Sequence, residues 1–141
     1  MSEIVVDESR APIIVVTFPP DGTIADYEKA VARYVDISRR GQRVAWLIDL
    51  RNFNPLTAPA PVRKAAAEMA AQAAPVIKTV SAGEARVVTS NLVRGLSTAF
   101  TWLTTTHWPT AHFKTMEDAE AWLRAQLAKP TFGSNELERQ D

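Results

Sequence analysis

Short unbroken apolar runs alternate with amphipathic stretches along the chain, and that alternation predicts its elements. Ile13-Ile14-Val15-Val16-Thr17-Phe18 and the apolar part of Arg43-Val44-Ala45-Trp46-Leu47-Ile48-Asp49-Leu50-Arg51-Asn52-Phe53 are rich in branched and aromatic side chains. Runs of this kind predict strands buried on both faces, as in parallel sheets. Ile4 to Val6 predicts a short edge strand, with a turn at Ser9-Arg10-Ala11-Pro12. Pro19 and Pro20 end the second strand, because neither can donate to a ladder. Ser81-Ala82-Gly83 predicts a turn, Ala85 to Ser90 a third parallel-type strand, and Thr110 to Lys114 a short last one.

Helices are predicted between these strands. Thr23 and Asp26 have the form of a capping box, and Ile24, Tyr27, Val31, Tyr34 or Val35, and Ile37 or Ser38 form an apolar stripe. Arg39 and Arg40 suit the negative end of that helix, and Gly41 its stop. The prolines at 55, 59 and 61 predict a stiff loop up to Pro61, the first helical position. Val62 to Ala74 is then an alanine-rich helix that allows close packing on a sheet or, less often, on a second copy. Pro75 breaks or kinks it. A further helix runs from Ser90 or Asn91 to about Thr106, and Thr115 with Asp118 caps a last one, whose apolar face holds Ala119, Trp122, Leu123 and Gln126 or Leu127. Trp46 and Trp122 are expected in the core, and one of Trp102 and Trp108 at the surface.

The order gives an α/β fold: an N-terminal hairpin strand, then βαβαβαβα, with a mostly parallel central sheet. Residues 1–129 are expected to form one domain and 130–141 a disordered polar tail. The length of 141 residues agrees with a single domain.

Charge and composition narrow the function. Sixteen basic residues balance sixteen acidic ones, so no basic excess points to nucleic acid or an anionic membrane. No apolar run reaches the roughly 20 residues of a membrane span, and the acidic N-terminus lacks the pattern of a signal peptide. A cytoplasmic protein is expected. Cysteine is absent, which removes thiol catalysis and thiolate metal sites. His107 and His112 are the only histidines and show no metal-ligand spacing. Neither a metal nor a cofactor is expected.

Asp49 invites comparison with a phosphoacceptor, with Asp7 and Glu8 on a metal, Thr89 or Ser90 as switch hydroxyl and Lys114 on the phosphate. The topology opposes this, since one helix rather than two separates residues 9 and 43. A hydrolase would need Ser90 or Ser97 to meet a histidine, and no nucleophile elbow is present. The lone glycines at 22 and 95 make no phosphate-cradling loop. Asp49 is instead expected to fix the loop after its strand, with Arg51 or a backbone N–H.

Ala45 to Leu50, Ala85 to Ser90, and above all Phe113-Lys114-Thr115-Met116-Glu117-Asp118-Ala119-Glu120-Ala121-Trp122-Leu123 resemble the STAS superfamily, and within it the SpoIIAA-like (STAS/SEC14-like) domains. The resemblance spans roughly residues 3 to 128. It implies a small, non-enzymatic regulatory or ligand-binding domain. Classical STAS antagonists carry a phosphorylatable serine after the central strand in an Asp-Ser-Ser-like context. Here Thr57 is the one hydroxyl before the helix and the candidate phosphosite, and that context is missing.

The ends of the parallel strands should meet at one edge. Asp21, Asp49, Arg51, Asn52, Thr57, Ser90 and Asn91 are the candidate ligand or partner residues there. The leading expectation is a protein-interaction module, with a protein partner or a second copy, acting through the loop after the central strand and the following helix. The alternative is a carrier of a small apolar ligand, in a pocket lined by Phe53, Leu56, Met69 and Trp102.

Overall fold

Residues 3–54, 59–91 and 108–130 are described by the computed structural model. In chain order they form β1 (Val5–Asp7), β2 (Ile13–Thr17), α1 (Ile24–Arg39), β3 (Val44–Asp49), α2 (Ala60–Lys78), β4 (Ser81–Val87), β5 (Thr110–Phe113) and α3 (Met116–Ala128). The strands lie in sequence order, β1-β2-β3-β4-β5. β1 runs antiparallel to β2, and the remaining neighbours are parallel. This is the mixed α/β sheet that the hydrophobic pattern predicts. Of the expected helix from residue 90 or 91 to 106, Asn91 is helical and residues 92–106 lie outside the described residues, as does the expected tail beyond 130.

Each face of the sheet has its own core. Ile14, Val16, Trp46, Ile48 and Val88 pack with Ile37 of α1 and Ala73 and Ile77 of α2. On the other face Ile13, Ala45, Leu47, Ala85 and Val87 pack with Ala119 and Leu123 of α3. β3 is buried over its whole length because alternate residues feed both cores.

The helix ends follow their predicted chemistry. The Thr23 hydroxyl accepts from the Asp26 N–H at 3.2 Å and the Asp26 carboxylate accepts from the Thr23 N–H at 2.7 Å, which closes the capping box. Gly41, at φ 77°, takes the left-handed turn after α1 that a side chain would resist. Thr115 caps α3 through the Asp118 N–H. Within the α1 stripe, Ile24 is more exposed than its spacing predicts, at 38%.

Three expectations need correction. α2 does not stop at Pro75: it starts at Ala60 and continues to Lys78. Pro75 is on its exposed side, and Ala66, Ala67, Ala73 and Ala74 are buried where α2 packs along α1. The lost backbone hydrogen bond is outweighed there by packing on both sides of the proline. Second, Ser81 to Gly83 is the start of β4 and not a turn, and the strand ends at Val87 rather than Ser90. Its turn-like composition has a cause, because β4 shifts register by one residue between Val44↔Ser81 and Trp46↔Glu84. A bulge of this kind favours glycine. A Cβ at Gly83 would lie 3.1 Å from Gln126 Cγ and 3.3 Å from a Trp122 ring carbon. Third, Trp122 is half-buried, seated on Phe113 at 5.6 Å between ring centres. Trp46 is buried as expected, at 1% exposure.

Candidate functional site

The C-terminal ends of the parallel strands converge on one edge, and β3 delivers its only charged residue there. The Asp49 side chain is 7% exposed. Its Oδ1 accepts from Arg51 Nε at 2.9 Å and from the Arg51 backbone N–H at 3.1 Å, and its Oδ2 accepts from Arg51 Nη2 at 2.8 Å. This two-pronged pair holds planar groups in one orientation. The Arg51 side-chain hydrogen bonds, opposed in part by burial, hold the Asp49 carboxyl below the usual carboxylate range. The same contacts raise Arg51. An acid so engaged is an anchor: both oxygens are occupied, and it stays ionised through the neutral range.

The chain then turns. Leu50 N–H donates to Val87 O at 3.0 Å and Phe53 N–H to Leu50 O at 3.2 Å. Phe53 is half-buried and meets Phe18 edge-on at 6.1 Å, while Phe18 also contacts Tyr27 at 6.0 Å. Arg51, Asn52 and Asn54 are left at the surface. Beside them lies an open cleft of about 440 Å³ lined by Glu3, Thr17, Phe18, Pro19, Pro20 and Asn52.

Asp49 and Arg51 are thus brought into direct contact, and Asn52 joins the cleft. Asp21 is exposed, one residue beyond the cleft-lining Pro20, and Ser90 and Asn91 are exposed beyond the end of β4. Thr57, Leu56 and Trp102 lie outside the described residues. Of the other two residues expected to line an apolar pocket, Phe53 packs as above and Met69 is half-buried on α2. His112 turns toward the α1/α2 side, opposite Arg86 in the ladder, while Phe113 packs on the α3 side.

A second charged pair went unnoticed in the sequence. Glu84 and Arg86 lie inside β4, each 8% exposed, on the face covered by α1 and α2. Glu84 Oε2 accepts from Arg86 Nε at 2.6 Å and Glu84 Oε1 from Trp108 Nε1 at 3.2 Å. Tyr34 stacks on Trp46 close by, at 4.7 Å, and burial pushes its phenol up. The signal was the Glu-Ala-Arg spacing, which puts two opposite charges on one side of a strand. The bulge at Gly83 then decides which side, since a one-residue shift reverses the faces. The cleft residues Glu3, Thr17, Phe18, Pro19 and Pro20 also went unnoticed, for want of any motif.

Among the described residues, no group of three or more metal-binding side chains comes together, and no helix is long and apolar enough to cross a membrane.

Known proteins place this architecture. No curated protein matches the chain in sequence. In structure it is similar to an uncharacterized protein with a SpoIIAA-like fold from Shewanella loihica, with a TM-score of 0.62 and 15% identity over 85% of this chain and 91% of the other. Likeness at that identity speaks to the fold alone. The model of the SpoIIAA-like family matches residues 13–124, from the first core strand into the last helix. The chain therefore belongs to the SpoIIAA-like family.

Proposed function

We propose that this chain is a non-enzymatic regulatory module that binds a protein partner through the loop after β3 and helix α2. The observation that carries the reading is the Asp49–Arg51 lock. It commits the strand-end acid, ionised and paired through both oxygens, to holding a loop rather than to general acid–base work. It also fixes where Arg51 and Asn52 sit beside the open cleft, which gives a partner a preorganised surface. The exposed side of α2 adds Arg63, Lys64 and Glu68. Membership of the SpoIIAA-like family supports a protein partner in the same way. On this reading the protein works in the cytoplasm.

Native mass spectrometry of the protein isolated from its source cells tests the proposal. An added mass of a second polypeptide is expected, lost on Arg51→Glu. An added mass of a few hundred daltons would instead favour the apolar-ligand carrier, and a bare protomer would count against both.

A further inference from the structure

β1 is the edge of the sheet, and among the described residues no strand pairs with its outer side. Its pairing fixes which groups face outward. The β2–β3 ladder uses the Pro12 carbonyl, bonded by Ala45 N–H, and the Phe18 N–H, bonded to the Asp49 carbonyl. By alternation the backbone of Ile14 and Val16 also turns to β3, and that of Ile13, Val15 and Thr17 turns to β1. Val5 and Asp7, opposite Thr17 and Val15, form the hydrogen-bonded pairs. Val6, opposite Val16, therefore points its N–H and C=O out of the sheet. Arg33 Nη2 lies 3.5 Å from that carbonyl, the long limit of a hydrogen bond. The side chains divide as well. Ile4 and Val6 pack on the α1/α2 core, so Glu3, Val5 and Asp7 lie on the other face. All three are exposed, Val5 at 53%.

We propose that this edge accepts an extended segment of a partner protein by strand addition. The segment carries a basic residue, an apolar residue two positions on, and a second basic residue two positions further. Side chains directly opposite one another on an added strand are in contact. The pattern therefore sets a base against Glu3, an apolar group against Val5 and a base against Asp7. A second copy of this chain fits badly. An antiparallel pair centred on Val5 would put Glu3 against Asp7 of the other copy, and a parallel one in register would put each acid against itself. Arg33 is held by Glu8 at 2.6 Å, and its weak contact to Val6 yields to a backbone donor. This surface meets the cleft beside the loop after β3 at Glu3, and its test is read at β1, away from that loop.

The test is a titration of the ¹⁵N-labelled full chain with a blocked heptapeptide, Thr-Lys-Thr-Val-Thr-Lys-Thr, and with its counterpart carrying glutamate for lysine. The expected result is amide shift changes centred on Ile4 to Glu8 with the lysine peptide and none with the glutamate peptide. Reversing both acids, Glu3→Lys with Asp7→Lys, should weaken the lysine peptide about tenfold and admit the glutamate one. Val6→Pro removes the outward N–H without taking a bond from the β1–β2 ladder, and should abolish binding. The charge reversal remains readable if that variant fails to fold. No response to the lysine peptide, equal response to both peptides, or changes centred away from β1 would overturn the proposal.

Discussion

β3 and β4 are neighbours, both buried nearly end to end, and they handle charge in opposite ways. β3 is apolar until its last residue, and Asp49 meets a partner, Arg51, whose side chain is 47% exposed. β4 carries Glu84 and Arg86 in its interior, with side chains 11% and 9% exposed. The first pair sits at the water boundary and shapes a loop. The second is enclosed against Trp46 and Ile48, its cross-strand neighbours. The difference teaches that a charge pair's position along a strand decides its role. At the strand end, solvent keeps the stability at stake small and leaves the surface available to a partner. In the interior, the pair does little for net stability against an apolar substitute, but losing one member is severe.

The strongest way to break this contrast is at β4. Arg86→Met leaves Glu84 charged and buried, and should cost about 3–5 kcal/mol in urea unfolding. The double variant Glu84→Leu/Arg86→Met should recover most of that loss, because two apolar groups of similar size need no partner. A double variant as unstable as the single one would show that the pair does more than neutralise itself.

Next is the bulge that aims the pair. Gly83→Ala forces a methyl against Gln126 and Trp122, and should destabilise by about 1–3 kcal/mol. Trimming Gln126 to Ala in the same chain should relieve part of it, since the shortest approach is to its side chain. Unfolding of the single and double variants measures this directly.

The smallest effect is expected at β3. Asp49→Asn should cost about 1 kcal/mol at pH 7, the value for a pair whose arginine is half in water. The Asp49 carboxyl is held below its ordinary value, chiefly by the Arg51 hydrogen bonds. Its contribution is therefore complete above the unfolded value of about 4 and disappears as pH falls through the lower folded value. Unfolding curves of both proteins should be separated at neutral pH and should converge in strong acid.

The two strands also differ in how far the sequence betrayed them. β3, β2 and the caps at Thr23 and Thr115 were legible because each is a local signal: an unbroken apolar run, or a hydroxyl three residues before an acid. The anchoring of Asp49 by Arg51 was legible for the same reason, since the two are two residues apart on one strand end. β4 was misread at Ser81 to Gly83 because its glycine answers to Trp122 and Gln126 of α3, far along the chain, and composition alone suggested a turn. The run of α2 through Pro75 depends on packing against α1, which no local pattern shows. The cleft joins Glu3, Thr17 to Pro20 and Asn52, three stretches brought together only by the order β1-β2-β3.

The central claim is that the locked loop after β3 is a protein-binding surface. Its most direct test is a photo-cross-linking residue at Asn52, introduced in the source cells, with the same residue at Arg124 on α3 as a control. A discrete cross-linked polypeptide at position 52, absent at 124 and lost when Arg51→Ala unlocks the loop, is the predicted result. Unlinked protein at 52, or the same adducts at both positions, would contradict it.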